Sequence, residues 1–301
     1  MGSSNFPEFN SRRNTLKLLS LAAVGAGTIS SLGSLRAMAA TVTSDGACLL
    51  TPQSVEGPYY FDPKLERSEI TEGHEGIPVK LKLQVMGANC HVMPNARVDV
   101  WHADAQGFYS GYDKQGDSGN ISTKGQTFLR GTQFSNTDGE VLFTTIFPGW
   151  YTRMTAHIHF KVFLDKSTVL TAQIYFPDAL NEFIYTNVPA YKRNTRRDTI
   201  NATDPIALDA TSTAYASIKE GGDHYLATLV VGVDPSARSK VGPMPGGPPP
   251  GIPTGNGEFR GPPPGPRPGG DNIFANRKQM SNEERLRALV PGSPQEPDSK
   301  K

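Results

Sequence analysis

The apolar and polar positions of the chain alternate over several short segments, and this period of two predicts β-strands. Residues 79–85, V-K-L-K-L-Q-V, show the alternation cleanly, as expected of a strand that is buried on one face. The same kind of pattern predicts further strands at residues 96–102, 128–134, 141–147, 157–164, 170–176 and 223–233. Short strands at regular spacing, joined by turns, predict an all-β fold of the antiparallel β-sandwich type.

The segments between these strands indicate turns and one long loop rather than helices. The sequence N-T-D-G at residues 136–139 predicts a β-hairpin between the strands on either side of it. Residues 104–125 form a long, polar, glycine-rich stretch, and loops of this length inside a compact domain are usually functional or disordered. Residues 178–213 show no long amphipathic pattern, and within them only residues 181–186 fit a short turn of helix.

The first 39 residues have the order of features found in an export signal. A twin arginine, Arg12 and Arg13, precedes a moderately apolar run at residues 18–32, and A-M-A at residues 37–39 gives a small-residue cleavage site. The apolar run is too short for a stable membrane span, so no stable membrane anchor is expected. The sequence therefore predicts export by the twin-arginine route, to the periplasm or the extracellular space.

Two regions follow the signal. Residues 40–240 contain all the predicted strands and are expected to form one domain. Residues 241–301 are predicted to be a flexible tail, because residues 242–270 are mostly Gly and Pro and such a composition cannot form a core. Within the tail, residues 282–289 fit a short helix with a serine cap.

The net charge bears on the partners of the protein, and the cysteines bear on the compartment in which it works. The formal net charge is +1 over 301 residues, which gives no electrostatic attraction for nucleic acid. Cys48 and Cys90 lie in the exported part, where an oxidising compartment favours one disulfide between them. Two unpaired buried thiols are the alternative that the sequence leaves open, and the oligomeric state is open as well.

Candidate chemistry concentrates in residues 148–160, P-G-W-Y-T-R-M-T-A-H-I-H-F. A strand would place His157 and His159 on the same face, because side chains alternate with a period of two. Tyr151 lies six residues before His157, and the three side chains together are candidate metal ligands. A His-x-His pair on a strand also occurs as a structural or surface feature, so this stretch alone leaves the metal site open.

Several sequence motifs, which occur in a fixed order, add to the evidence from residues 148–160. They are W-H-A-D-A-Q-G-F-Y-S-G at 101–111, F-L-R-G-T-Q at 128–133, T-D-G-E-V-L-F-T-T-I-F-P-G-W-Y at 137–151, H-I-H-F at 157–160 and Q-I-Y-F at 173–176. In this order they resemble the intradiol ring-cleavage dioxygenases, the family of catechol and protocatechuate dioxygenases. The resemblance covers about residues 48–234, and E-G-P-Y-Y at 56–60 resembles the secreted, single-chain branch of that family.

The resemblance implies one mononuclear, non-haem Fe(III) ion held by Tyr109, Tyr151, His157 and His159. By position, Tyr151 resembles the axial tyrosinate that substrate displaces and Tyr109 the tyrosinate that stays, while His157 is the axial histidine and His159 the equatorial one. The chemistry agrees, because phenolate is a hard, anionic donor that favours Fe(III) and a 1,2-diol is a natural chelator. The implied reaction is the cleavage by O2 of a catechol-type aromatic between its hydroxylated carbons, which gives a cis,cis-muconate-type product.

Arg153 and Gln173 are predicted to act beside these ligands. The family has an arginine three residues before the first ligand histidine, where this chain has Met154, and Arg153 stands one residue earlier. On an extended strand a shift of one residue reverses the direction of a side chain, although a β-bulge would restore it. Gln173 matches a glutamine that the family has near the iron.

Three tyrosines are candidates for the substrate pocket: Tyr59, Tyr60 and Tyr112. The first two lie in the irregular segment 56–60, which fits either a pocket lining or an arm packed on the domain surface. Arg130, in the L-R-G motif, is interpreted as a structural residue.

Two other functions are consistent with parts of the pattern. One is a non-catalytic module that binds or carries aromatic compounds on the same sandwich, because a fold alone does not determine function. The other is a copper or zinc hydrolase that uses His157 and His159, although the sequence offers it no suitably placed general base or third histidine. The identity of the catechol is left open, and export suggests compounds outside the cytoplasm.

Overall fold

A computed structural model of the chain describes residues 48–164 and 167–239. The strands are β1 (Pro78–Gly87), β2 (Arg97–Trp101), β3 (Arg130–Phe134), β4 (Glu140–Ile146), β5 (His157–Leu164), β6 (Ser167–Tyr175), β7 (Ser217–Glu220) and β8 (Tyr225–Val233). Two helices, α1 (Asp178–Asn187) and α2 (Pro205–Leu208), lie between β6 and β7 with 3-10 turns at Pro189–Tyr191 and Ser212–Ala214. Within the described ranges, no helix combines the length and apolar character needed to cross a bilayer. The predicted export signal and the predicted tail with its short helix lie outside these ranges.

The strands form two four-stranded sheets, in the orders β4-β1-β8-β7 and β3-β2-β5-β6. Apolar side chains from both sheets share one core, since Leu81 and Phe143 of the first sheet belong to the same buried cluster as Ile158 and Phe160 of the second. Removing these side chains from water is the main force that holds the sheets in place. The prediction of a strand-rich, all-β chain is confirmed.

The predicted antiparallel pairing is wrong for one pair of strands. β1 runs parallel to β8, with Val79 opposite Tyr225 and Gly87 opposite Val233. The other pairs of named strands are antiparallel. The pattern of apolar residues could not reveal this difference, because side chains alternate with the same period in parallel and antiparallel strands.

The turn at residues 136–139 forms, but it does not join the two strands of a hairpin. The N–H of Gly139 donates to the carbonyl of Asn136 at 2.9 Å, which closes the turn. The flanking strands then enter different sheets, since β3 pairs with β2 and β4 pairs with β1. Turn residues fix a local reversal of the chain, whereas the choice of pairing partner depends on packing elsewhere in the domain.

The segment after β6 holds more regular structure than its sequence pattern predicts. α1 has ten residues, where the pattern predicts helix only at 181–186. Arg197 forms ion pairs with Asp178 and Glu182 of this helix at 2.8 and 3.0 Å. Tertiary contacts of this kind stabilise a helix in which Ile184 is the one fully buried apolar residue. β7, with four residues, is too short to give a clear alternating pattern.

Cys48 and Cys90 form a disulfide, with their Cα atoms 5.1 Å apart. Cys90 lies in the turn that follows β1, where its N–H donates to the carbonyl of Gly87. The bond therefore ties the start of the described chain to the end of the first strand.

Candidate metal centre

Four side chains bring their donor atoms to one point. Nε2 of His157 lies 2.9 Å from Nε2 of His159, 3.2 Å from Oη of Tyr151 and 3.4 Å from Oη of Tyr109. Tyr109 and the two histidines are buried, and Tyr151 is partly exposed. The structure thus brings together the four residues that the sequence predicts as metal ligands.

Strand β5 positions both histidines. His157 and His159 share one face of the strand, while Ile158 and Phe160 point into the hydrophobic core on the other face. Trp101 lies opposite His159 on β2, and the two rings stack with their centroids 4.8 Å apart and their planes 5° apart. This stack fixes the plane of the His159 imidazole.

A tight turn presents Tyr151. The N–H of Met154 donates to the carbonyl of Tyr151 at 3.1 Å, so residues 151–154 form a turn rather than the start of a strand. Arg153 occupies the left-handed region of backbone space, with φ of 73°, which is uncommon for a residue other than glycine. Its N–H donates to the carboxylate of Asp198 at 3.0 Å, and this distant contact supports the turn.

Tyr109 lies in the long loop between β2 and β3, and hydrogen bonds inside the loop hold it. Its N–H donates to Oε1 of Gln115 at 2.9 Å, and its carbonyl accepts from the hydroxyl of Thr123 at 2.6 Å. The ring of Tyr59 stacks on the ring of Tyr109, with centroids 4.6 Å apart and planes 20° apart. The loop is therefore ordered enough to place a ligand, which fits the functional interpretation of its length.

Hydrogen bonding determines which nitrogen of His157 faces the other donors. Nδ1 lies 2.7 Å from the carbonyl oxygen of Thr155, and since a carbonyl only accepts, Nδ1 carries the proton. Nε2 therefore presents a lone pair to the other three donor atoms. Burial lowers the pKa of both His157 and His159, so the two rings are neutral at physiological pH.

Burial has the opposite effect on the two tyrosines. It raises the pKa of Tyr109 and that of Tyr151 well above the ordinary value for a phenol. Only a strong Lewis acid would turn these groups into phenolates at neutral pH. Two phenolate oxygens and two imidazole nitrogens form a hard, anionic donor set of the kind that favours Fe(III), so the residues present fit a ferric ion.

His157 and His159 are not part of a larger cluster of His, Cys, Asp or Glu within the described residues. In the part of the chain that the structure describes, no group of three or more His, Cys, Asp or Glu is placed to hold a metal ion. Among the described residues, Tyr109 and Tyr151 are therefore the candidates for further donors beside His157 and His159.

A cavity of about 370 Å³, a size typical of small-molecule sites, opens beside Tyr151, which is the one residue of the four that lines it. Tyr59, Tyr151 and Arg153 are among the residues that line it. Tyr60 and Tyr112 are not among the lining residues, so of the three candidate pocket tyrosines Tyr59 is the one that lines this cavity.

Tyr60 and Tyr112 instead hold the arm formed by residues 56–60. The hydroxyl of Tyr60 donates to the carboxylate of Asp99 at 2.8 Å, and the hydroxyl of Tyr112 donates to the carbonyl of Tyr60 at 3.0 Å. Pro58 and Tyr59 lie in a turn, and beyond it the two tyrosines separate: Tyr59 reaches the cavity while Tyr60 anchors the arm to the sheet. The arm thus combines the two roles between which the sequence did not decide.

Arg153 and Gln173 occupy different surroundings. The doubt about Arg153 assumed an extended strand, but the residue lies at the corner of the 151–154 turn, where it is exposed and lines the cavity. Met154, at the family's arginine position, is buried. Gln173 lies opposite His159 in the β5–β6 pair, and its Oε1 accepts from the hydroxyl of Tyr175 at 2.8 Å.

Sequence reasoning missed three residues that shape the site. Gln115 holds the backbone of Tyr109, Thr155 orients His157, and Trp101 stacks on His159. Thr155 acts through its backbone carbonyl, which leaves no signal in the sequence. Trp101 stands in the W-H-A-D motif, directly beside the predicted loop, so its position did carry a signal.

The chain is similar to several known proteins over the part that contains this site. The Dioxygenase_C family model, described as dioxygenase, matches residues 55–207, a stretch that includes all four candidate ligands. Catechol 1,2-dioxygenase of Acinetobacter baylyi is 28% identical over 211 residues, which cover 61% of this chain and 64% of that protein. Chlorocatechol 1,2-dioxygenase of Cupriavidus pinatubonensis is 29% identical over 146 residues, which cover 41% of this chain and 53% of that protein. The chain thus spans less than two thirds of each of these relatives.

One solved structure matches this chain over nearly the whole length of the solved chain. The intradiol ring-cleavage dioxygenase from Tetranychus urticae is 28% identical, with a TM-score of 0.58, and the match covers 64% of this chain and 98% of that one. The ordered motifs, the converging donors and the family match all lead to the same assignment. This chain belongs to the intradiol ring-cleavage dioxygenase family.

Proposed function

We propose that this protein uses O2 to cleave a catechol-type aromatic compound between its two hydroxylated carbons, giving a cis,cis-muconate-type product. The observation that carries the proposal is that Oη of Tyr109, Oη of Tyr151 and Nε2 of His159 all lie within 3.4 Å of Nε2 of His157. The names of the relatives, catechol and chlorocatechol 1,2-dioxygenase, support the same class of reaction.

Tyr109, Tyr151, His157 and His159 would hold one non-haem Fe(III) ion. When bound, such an ion supplies Lewis acidity toward both oxygens of a 1,2-diol and activates the diol for reaction with O2. The protein's part is to aim both histidines at one point, which the Thr155 carbonyl and the Trp101 ring do, and to keep both neutral, which their burial does by lowering the pKa of each.

Tyr151 is the ligand best suited to give way to substrate. It is partly exposed and lines the cavity, whereas Tyr109 is buried beneath the ring of Tyr59. On release, Oη of Tyr151 is the group that would accept a proton from the incoming diol. Tyr109 would stay in place, because Gln115 and Thr123 hold its backbone.

Residues around the cavity would orient the ring of the substrate. Tyr59 offers an aromatic face at the cavity wall, and aromatic rings stack on such faces with favourable geometry. Arg153, also at the wall, would place positive charge near a diol that loses protons on binding. Gln173, beside His159 in the sheet, is proposed to support that ligand from the neighbouring strand.

We also propose that the protein belongs to the secreted branch and is exported by the twin-arginine route. The twin arginine at Arg12 and Arg13 supports this location, and so does the Cys48–Cys90 disulfide, because such bonds persist in oxidising compartments.

The test is oxygen uptake by the purified, iron-loaded protein across a panel of catechol, hydroxyquinol and protocatechuate, with the product identified by mass. We expect uptake with at least one member and a product heavier than the substrate by both atoms of O2. Tyr151→Phe should lower turnover and change the visible absorption of the protein, while Tyr225→Phe, on β8, serves as the matched control. Binding of catechols without any oxygen uptake would instead favour the non-catalytic module.

A further inference from the structure

Residues 198–204 lie against the stretch 151–157, which carries two of the four candidate ligands. Two side chains of the segment hold one residue of that stretch. Asn201 accepts a hydrogen bond from the hydroxyl of Thr155 at 2.8 Å, and Asp204 accepts one from the N–H of Thr155 at 2.9 Å. Together with the contact of the same segment to the 151–154 turn, these bonds brace the chain that joins one ligand to the next.

Asp204 is a fully buried carboxylate that backbone N–H groups satisfy. It is 0% exposed, and within residues 48–164 and 167–239 no basic side chain pairs with it. Its Oδ2 accepts from Thr155, whereas its Oδ1 accepts from the N–H groups of Ile206 and Ala207 at 2.9 and 3.4 Å, which caps the start of α2. Burial of a carboxylate is tolerable when hydrogen bonds of this kind accompany it. Each oxygen of Asp204 therefore serves a different part of the fold.

Thr155 connects Asp204 to a candidate ligand. Its N–H donates to Asp204, and its carbonyl oxygen lies 2.7 Å from Nδ1 of His157. Because the imidazole donates its Nδ1–H to this carbonyl, the position of the carbonyl determines the direction in which Nε2 points. A hydrogen bond that fixes the peptide unit on one side of Thr155 limits the rotation of the carbonyl on the other side.

The supporting segment is itself anchored to other elements of the domain. The N–H of Asn201 donates to the carboxylate of Asp178 at 2.9 Å, and its side-chain amide donates to the carbonyl of Phe176 at 2.8 Å. Asp178 begins α1, and Phe176 directly follows β6. The segment thus gives Thr155 a support that does not depend on the ligand-bearing stretch.

We infer that Asp204 is a positioning residue of the candidate metal centre, which holds Thr155 so that His157 presents Nε2 to the other donors. The inference rests on the proposed function, because the direction of Nε2 affects a metal ion only if His157 binds one. It assigns a role to a segment whose sequence pattern indicates neither a strand nor a ligand.

Two substitutions separate this role from the capping of α2. Asparagine caps a helix about as well as aspartate, but it offers one acceptor oxygen where Asp204 uses two, so Asp204→Asn cannot keep both contacts. Asp204→Ala removes both. Ser135→Ala is the matched control, because the buried Ser135 hydroxyl also accepts from a backbone N–H, that of Ala96 at 2.8 Å, between β3 and β4.

Three measurements are made on each variant. The affinity for Fe(III) is measured by competition with nitrilotriacetate, and the visible absorption is recorded on the iron-loaded protein. The melting temperature of the metal-free protein is measured in parallel, so that a loss of stability can be told from a loss of ligand geometry.

We expect both Asp204 variants to bind Fe(III) about tenfold more weakly than the wild type, with a shifted visible absorption. Loss of a group that orients a ligand histidine typically weakens metal binding by about 10–100-fold, and Asp204 acts one residue further out. Ser135→Ala should melt at a lower temperature and keep its affinity and its spectrum. If Asp204→Ala does not fold, Asp204→Ser, which has one hydroxyl oxygen that can cap α2, takes its place.

The proposed function and the role of Asp204 can fail separately. A wild type that binds no Fe(III) would overturn both. A wild type that binds Fe(III), with Asp204 variants that melt at a lower temperature but keep its affinity and absorption, would overturn only the role of Asp204, since the residue would then do no more than stabilise the fold.

Discussion

The ion pair between Lys161 and Glu56 offers a quantitative test of how the arm is held. Lys161 follows His159 by two residues on β5, so it lies on the same face as the ligands and contacts the arm that carries Tyr59. Its side chain is 6% exposed and that of Glu56 is 18% exposed. The ammonium also lies 3.9 Å from the ring centroid of Tyr60, which makes a favourable cation–π contact.

Breaking a buried pair by removing one partner costs about 3–5 kcal/mol, because the remaining charge stays in a poor solvent. Glu56→Gln leaves the more deeply buried ammonium unpaired, so we expect a loss of about 3 kcal/mol in the free energy of unfolding. Lys161→Met leaves the better solvated carboxylate, and we expect a loss nearer about 2 kcal/mol. The double variant leaves no unpaired charge, so its loss should fall short of the sum by about 2 kcal/mol.

Urea unfolding of the wild type, the two single variants and the double variant provides the four free energies of a double-mutant cycle. Constant m-values would show that the unfolded state is unchanged. The single variants should also show a higher KM for the catechol substrate with a smaller change in kcat, because the arm carries Tyr59 into the cavity. Losses that add to within about 0.5 kcal/mol would refute the reasoning, since two groups that do not interact give additive effects.

Three further variants test single contacts. Gln115→Ala should destabilise the protein by about 1–3 kcal/mol and weaken Fe(III) binding, because it leaves the buried N–H of Tyr109 without its acceptor; urea unfolding and chelator competition measure the two effects. Cys90→Ser should lower the free energy of unfolding by about 2–4 kcal/mol in non-reducing buffer, because the disulfide closes a loop with a separation of 42 residues, and the difference should vanish when both proteins are reduced. Burial lowers the pKa of His102 to about 4, so the unfolded chain binds a proton there that the folded chain does not, and stability should fall as the pH drops from about 6.5 toward 4. His102→Asn should flatten this decline in pH-dependent unfolding, and an unchanged slope would count against the assignment.

The sequence was most informative where a local pattern determines the outcome. The strand at 157–164 was predicted with its observed bounds, and the period of two correctly placed His157 and His159 on one face. Tyr109 and Tyr151 could be selected only through the ordered motifs, because a lone tyrosine in a loop or a turn carries no sign of what its hydroxyl meets. The direction of β8 and the pairing partner of β4 could not be predicted from the sequence, since both depend on contacts between distant segments.

Arg153 shows for a single residue that contacts with distant segments cannot be predicted from a local pattern. Its role was predicted from the family resemblance and questioned on strand geometry, in which neighbouring side chains point in opposite directions. The chain instead turns at 151–154, and the contact that supports the turn comes from Asp198, which lies 45 residues away in the sequence. A local sequence pattern cannot reveal a hydrogen bond to a residue that is so distant in the sequence.

The burial of β5 explains why the site needs both the arm and the long loop. Its residues from His157 to Val162 are all buried, although only Ile158, Phe160 and Val162 face the hydrophobic core. The opposite face carries His157, His159 and Lys161, and burying such polar groups is tolerable only if partners accompany them. The arm supplies Glu56 to Lys161, and the loop supplies Tyr109 to the histidines. A single strand therefore contributes to the core through one face and forms the floor of the site through the other. The arm and the loop that cover its polar face also determine which molecules can reach the site.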